Sequence, residues 1–374
     1  MRIGVPAQQS NDELRVAITP DVAKRLIASG HELMIETGAG SKAGYPDAQY
    51  QDVGATVTTA EQVWSCDFVT TIERPSPSDL GPAVAVIGMI APFDDPDEMK
   101  PLADTGATIF ALEAVPRTSR AQTVDALSSQ ASVAGYQAVL EAAASSDRFF
   151  PMLTTAAGTI RPSKVVVLGA GVAGLQAIAT ARRLGAVVSA FDVRSAAAEQ
   201  VESLGASFIT VETEPQDASD SGGYAREVEA DQQERIIAGL APHLVDADAV
   251  ITTAAIPGRP APLLIRADTV RAMRPGAVIV DISASTGGNC ELTRPGETID
   301  VDGVLIIGAT DLVSRVANHA SQMYARNVMA FIELITDPDS KELRLDYSDD
   351  IVEGACIARS GAVVHPRLVP TEGT

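Results

Sequence analysis

Three glycines and one aspartate near the middle of the chain have the types and spacing that holding a dinucleotide for its chemistry would need. In Lys164–Arg194, KVVVLGAGVAGLQAIATARRLGAVVSAFDVR, Gly169, Gly171 and Gly174 form G-x-G-x-x-G, with Ala170, Val172 and Ala173 between them. The apolar residues 165–168 read as a buried parallel strand, and the residues from Val172 to about Leu184 as the helix that follows. In that setting the first glycine permits a tight turn, the second admits a pyrophosphate to the backbone, and the third lets helix and strand pack closely. Unpaired N–H groups and the positive end of the helix dipole then face the phosphates. A second strand, Val187 to Phe191, ends in Asp192, followed by Val193 and Arg194. A carboxylate there binds adenosine ribose hydroxyls and repels a 2′-phosphate, so NAD(H) is expected rather than NADP(H). Arg194, close by, works against that preference.

Two other segments carry candidate site residues. The polar run Arg117–Gln130, RTSRAQTVDALSSQ, mixes a guanidinium, an amide, a carboxylate and several hydroxyls. Arg117 and Asp125 are placed to pair across a loop, while Gln122 and Ser128 offer donors to a carboxamide or ribose. Taken alone, the segment also reads as a helix N-terminus with hydroxyl caps and surface ions. Thr253, Ala254, Pro257 and Gly258 follow a strand at 249–252, where a ligand loop at the carboxyl end of a parallel sheet belongs. An ordinary turn is the alternative there. None of these residues is an obvious proton-transfer group, which suits direct hydride transfer between two nicotinamides, a reaction that needs mainly positioning.

These residues need a frame, and the rest of the chain supplies an α/β one. Strands are expected at Arg2–Val5, Glu32–Glu36, Phe68–Ile72, Val84–Met89 and Thr108–Ala111, with a helix at about Asp21–Ser29. Two long helices, Ser129–Ser146 and Arg315–Leu334, read as connectors, and Gly354–His365 as a hairpin. The expected architecture is two Rossmann-like domains with parallel sheets and a cleft between them. The first comprises residues 1–128 plus 336–374 and the second, which binds the nucleotide, residues 129–335. Val211–Gly223, VETEPQDASDSGG, is acidic, almost without large apolar residues, and reads as a mobile loop.

A chain of 374 residues with 46% hydrophobic content has material for two cores. Its net charge of −21 argues against nucleic acid as a partner. The start MRIGVPAQ shows no signal peptide, so a cytoplasmic location is expected. Cys66, Cys290 and Cys356 lie far apart, as do His31, His243, His319 and His365, so neither a disulfide framework nor a metal site is indicated.

Taken with GGYARE at 222–227, TTAAIPGRPAP at 252–262 and GGNCE at 287–291, the turn and the RTSRAQTVDALSSQ loop give the whole chain a resemblance. It resembles the NAD(H)-binding alpha-subunit component of bacterial proton-translocating NAD(P) transhydrogenase, a relative of alanine dehydrogenase. The resemblance implies that the loop of Arg117, Gln122 and Asp125 reaches the partner nucleotide's region. It also implies that Ser128 contacts the nicotinamide carboxamide and that Tyr224 lies on a mobile loop closing over NAD(H). It further implies a homodimer, peripheral on the cytoplasmic face of the inner membrane, bound to membrane-spanning subunits that include an NADP(H)-binding domain. NAD(H) is then a bound substrate, and NADP(H) belongs to the partner. An amino-acid dehydrogenase of the same family would keep Arg15, but Glu73, Ile90 and Ser285 stand where its lysine, histidine and aspartate would be. A non-catalytic NAD(H)-sensing module is the other alternative. Asp311 and Val313 replace the transhydrogenase pattern's asparagine and proline, and Ser285-Thr286 a more common acidic pair.

Overall fold

A computed structural model describes residues 1–211, 230–256 and 258–369 of the chain. Two compact units are present, Met1–Gln130 with Ser314–Thr374, and Ala131–Val313. The first begins with strands β1 (Arg2–Val5), β2 (Glu32–Glu36), β3 (Thr56–Thr58), β4 (Phe68–Thr70), β5 (Ala85–Gly88) and β6 (Thr108–Ala111). The second holds a hairpin, β7 (Leu153–Thr155) and β8 (Gly158–Ile160), and then β9 (Lys164–Leu168), β10 (Val187–Phe191) and β11 (Ser207–Phe208). It continues with β12 (Ala249–Thr252), β13 (Val278–Asp281), β14 (Thr298–Val301) and β15 (Val304–Gly308). Back in the first unit are β16 (Cys356–Arg359) and β17 (Ala362–Val363).

Both large sheets are doubly wound. The first runs β17-β16-β6-β5-β4-β1-β2-β3 and the second β11-β10-β9-β12-β13-β15-β14. In each, the chain starts mid-sheet, adds two strands on one side and then crosses to the other, as nucleotide-binding sheets do. Pairing is parallel except at one edge, where β16 and β17 in the first sheet and β14 in the second run antiparallel. Strands covered on both faces need apolar side chains on both, hence continuous runs such as AVIT and VIVD, buried throughout. Along β9, Val165 and Val167 join one apolar cluster while Val166 and Leu168 join another, so each face of the sheet has its own core.

Pro20 opens the first helix (Pro20–Ala28), where a missing N–H costs nothing, and Asp21 lies inside its first turn, the alternative reading of this proline start. The second long helix, Ala317–Leu334, falls by sequence within residues 129–335. Its buried Tyr324, Val328, Phe331 and Ile332 instead pack with Ile3, Phe68 and Phe110 of the first unit. The tail forms a hairpin shorter than the expected 354–365, since Gly354 and Ala355 end the helix Asp350–Ala355; it turns through Ser360 (φ 52) and Gly361 (φ 80), a pair of left-handed residues that matches the twist of short hairpins.

Candidate nucleotide site

In the second sheet the strand order reverses between β9 and β12, which lie side by side in parallel register. The G-x-G-x-x-G turn follows β9 and Thr253 follows β12, so both candidate loops meet at the switch point. Thr253 N donates to Leu168 O at 2.8 Å and its hydroxyl donates to Gly169 O at 3.1 Å, joining the loops. The three glycines have separable roles. Gly169 has φ 98, and a Cβ there would lie 2.6 Å from the Thr253 hydroxyl. Gly171 has nothing within 4 Å of where its Cβ would stand, an open cradle that fits a pyrophosphate. A Cβ on Gly174 would meet Gly169 O at 1.8 Å, so only glycine lets the helix Val172–Arg183 sit on this turn. No side chain caps that helix at Gly171, which leaves the first-turn N–H groups to a ligand.

Asp192, nearly buried, ties the end of β10 back to the turn, accepting from Ala170 N at 2.7 Å. Its other donors come from Arg194: the backbone N at 2.9 Å, Nε at 2.8 Å and Nη2 at 2.9 Å. The pairing with Asp192 pushes the Arg194 pKa above its ordinary value. Thus the cation that the sequence places close to Asp192 contacts that carboxylate itself.

The loops after β12 and β13 are fastened by two fully buried side chains that sequence reading did not single out, Asp281 and Asn289. Asp281 accepts from the Thr252 hydroxyl (2.8 Å), Ser283 N (3.1 Å), Asn289 N (2.8 Å), Cys290 N (3.1 Å) and the Thr293 hydroxyl (2.7 Å). Asn289 grips both polar groups of Ala254, accepting from its N at 3.1 Å and donating to its O at 2.9 Å. Its amide also donates to Pro262 O at 2.8 Å. A buried carboxylate is stable only when fully hydrogen-bonded, and here that requirement fixes both loops. The signal lay in GGNCE, but partners from Thr252 to Thr293 are joined only by folding. Gly258 is left-handed (φ 73) and Ser285 is exposed. Tyr224, Pro257 and most of the acidic run expected to be a mobile loop lie outside the described residues.

In the first unit, Arg117 and Gln122 are exposed. Asp125 spends its carboxylate on the start of the helix Ala126–Ser145, accepting from Ser128 N at 2.8 Å and the Ser128 hydroxyl at 2.6 Å. Asn327 holds the segment from below, donating to Thr123 O at 2.8 Å and accepting from the Ser129 hydroxyl at 2.7 Å. Arg120 binds Asp349, with contacts of 2.7 and 2.9 Å, and also Asp350. The loop is therefore a firm platform presenting Arg117 and Gln122.

Arg15 is absorbed into the fold. Its Nε donates to Glu13 at 2.8 Å, its Nη2 to Glu13 at 2.5 Å and its Nη1 to Gln130 at 2.8 Å. Burial works to raise the Glu13 pKa, but bonding and charge from Arg15 outweigh it and hold it below the usual range. The first unit repeats the strand order without a glycine turn. After β1 come Pro6, Ala7 and Gln8, and the Gln8 amide oxygen accepts from Ile72 N (3.1 Å) and Glu73 N (2.9 Å) beyond β4. Glu73, whose pKa burial raises, accepts from Ser10 N at 3.2 Å, and Ile90 is fully buried.

Among the described residues no group of side chains could hold a metal ion, and no helix is long and apolar enough to cross a membrane. The three cysteines are buried free thiols, each pushed by burial to a pKa of about 11, which makes them poor nucleophiles.

Fold and site together define a two-unit α/β protein with a dinucleotide-binding turn in its second unit. The chain belongs to the alanine dehydrogenase/PNT family, whose N-terminal domain matches residues 4–134 and whose C-terminal domain matches residues 138–366. It is 44% identical over 380 residues to an NAD(P) transhydrogenase subunit alpha polypeptide of Rhodospirillum rubrum, covering 98% of this chain and 99% of that one. It matches the crystal structure of a transhydrogenase from Sinorhizobium meliloti with a TM-score of 0.88 and 41% identity, over 97% of this chain and 100% of that one. Alanine dehydrogenase of Bacillus subtilis is 29% identical over 301 residues, 78% of this chain and 72% of that protein.

Proposed function

We propose that this chain is the NAD(H)-binding component of a proton-translocating transhydrogenase, exchanging hydride between its own NAD(H) and NADP(H) on a partner subunit. The observation that carries this is the pairing of an intact NAD seat with the residues at the dehydrogenase acid/base positions. Gly169–Gly174 and Asp192 supply the seat, while Glu73 is tied to Ser10, Ile90 is buried and Ser285 is a plain hydroxyl. Reduction of an imine requires proton transfer; passage of hydride between nicotinamides requires proximity and orientation. When bound, the dihydronicotinamide supplies the hydride. This chain's residues hold the pyrophosphate at Gly171, the ribose at Asp192 and the loop at Thr253–Gly258, while Arg117, Gln122 and Asp125 serve the approach of the partner nucleotide.

The same reading places the chain as a homodimer, peripheral on the cytoplasmic face of the inner membrane through membrane-spanning partners. Support for the dimer comes from the β7–β8 arm. Its six strand residues are all exposed, and Phe149, Met152, Leu153 and Ile160 on and beside it are 53%, 63%, 38% and 50% exposed. A two-stranded hairpin with bare apolar side chains is marginal in water and gains by pairing with a second copy. Its base is rigid: Arg148 and Arg161, flanking the arm, both pair with the buried Asp248, at 3.4 and 3.2 Å.

Mixing the purified chain with the NADP(H)-binding partner and following transfer from NADH to an oxidised nicotinamide analogue tests the function. Transfer is expected, and its absence at saturating partner rejects the reading. Pyruvate and ammonia are expected to leave NADH unconsumed; steady loss would restore the dehydrogenase alternative. Gln122→Asn is expected to slow transfer while NADH affinity stays within about twofold, the size of a minor contact change.

A further inference from the structure

We propose that Arg194 is a specificity-determining gate on the adenosine-ribose position, holding the Asp192 carboxylate until a ribose displaces it. This rests on the NAD(H) reading of the turn.

A carboxylate offers about four lone-pair positions. On Asp192 all are taken: Oδ1 accepts from Arg194 N and Nε, and Oδ2 from Ala170 N and Arg194 Nη2. A ribose diol brings two further donors, so two must leave. Ala170 N belongs to the glycine turn and Arg194 N lies two residues along the chain, and neither can depart without unmaking the backbone around the seat. The guanidinium sits on a flexible stem with its side chain 22% exposed, so of the three donor groups it is the one whose bonds to Asp192 a side-chain rotation can break. The exchange replaces two bonds from a cation to the carboxylate by two bonds from neutral hydroxyls, so the hydrogen bonds are kept and the ion pair with Asp192 is lost. Arg194 therefore lowers NAD(H) affinity below what the turn would otherwise supply, which suits a nucleotide that must leave after each transfer. Its charge also offsets that of Asp192, so removing it leaves a bare carboxylate that rejects a 2′-phosphate more strongly.

The test measures binding of NADH, NADPH and reduced nicotinamide mononucleotide, which lacks the adenosine ribose, to the wild-type chain, Arg194→Gln and Arg194→Lys. For Arg194→Gln, NADH is expected to bind about three- to tenfold tighter, the scale of a partly exposed charged pair. The NADH-over-NADPH preference is expected to widen, with the mononucleotide unchanged. Arg194→Lys, which keeps the charge and loses the planar fork, is expected to fall between. NADH binding unchanged or weaker in both variants overturns the gate, and so does an equal gain for the mononucleotide. A wild-type chain that binds no NADH overturns the nucleotide reading beneath it.

Discussion

Glu113 shows how one side chain makes the first unit responsive to pH. Its carboxylate accepts from Ile90 N at 3.2 Å and Ala91 N at 2.8 Å, pinning a turn in which Ala91 is left-handed (φ 53). Burial pushes its pKa up from 4.5 to about 7, although the backbone bonds act to lower it. A carboxyl whose native pKa is raised is held protonated by folding. Its contribution to stability is fully present below about pH 4.5 and is lost as pH rises through about 7. The difference in thermal midpoint between the wild type and Glu113→Gln is therefore expected to fall across that window. A flat difference would mean that folding does not raise the Glu113 pKa.

At the scale of elements, the glycine turn predicts two opposite outcomes from similar changes. Gly171→Ala enters open space at an ordinary φ of −75, so folding is expected to survive. The new methyl stands where the pyrophosphate approaches, so NADH affinity is expected to fall by about tenfold or more. Gly174→Ala drives a methyl to 1.8 Å from Gly169 O, which forces helix and strand apart. It is expected to destabilise the second unit by at least the ~1–3 kcal/mol of ordinary overpacking. Denaturant unfolding and NADH titration of both variants separate the roles, and equal loss of stability would refute the distinction. The connector helix is bound into the same geometry, since a Cβ on Gly135 would lie 2.0 Å from Ala173 O.

At the scale of the whole molecule, the β7–β8 arm carries the prediction. Aspartate substitutions at Met152 and Ile160 place charge on the exposed apolar positions without touching the Asp248 anchor. The double variant Met152→Asp, Ile160→Asp is expected to sediment as a monomer where the wild type sediments as a dimer, with NADH binding retained. A variant that stays dimeric would move the interface elsewhere. The net charge of −21 gives copies of this chain a mutual repulsion, so the apolar arm must overcome it, and dimerisation is expected to strengthen with salt.

The strand, glycine turn and helix at 164–183 were legible in the sequence because their determinants are local: glycines spaced by two and three residues, a strand before them and Asp192 about 20 residues on. The apolar runs announced parallel strands for the same reason, since a strand buried on both faces is apolar at nearly every position. Partnerships between distant residues were not legible. Sequence could name Arg194 as a cation near Asp192 but not its hold on all the remaining acceptor positions of that carboxylate. Nor could it join Asp281 to Thr293, Arg15 to Gln130 or Asn327 to Thr123, because a side chain's partner depends on which elements the fold sets side by side. The helix Ala317–Leu334 reads by sequence as part of the second domain because its apolar stripe says only that it packs, not on what. Tertiary structure chose the first unit's core, and it bared the arm at 153–160, whose short strands carry no strong periodic signal. What the sequence settled by itself was the backbone chemistry of one turn; which distant side chains position that turn and its loops was settled by packing.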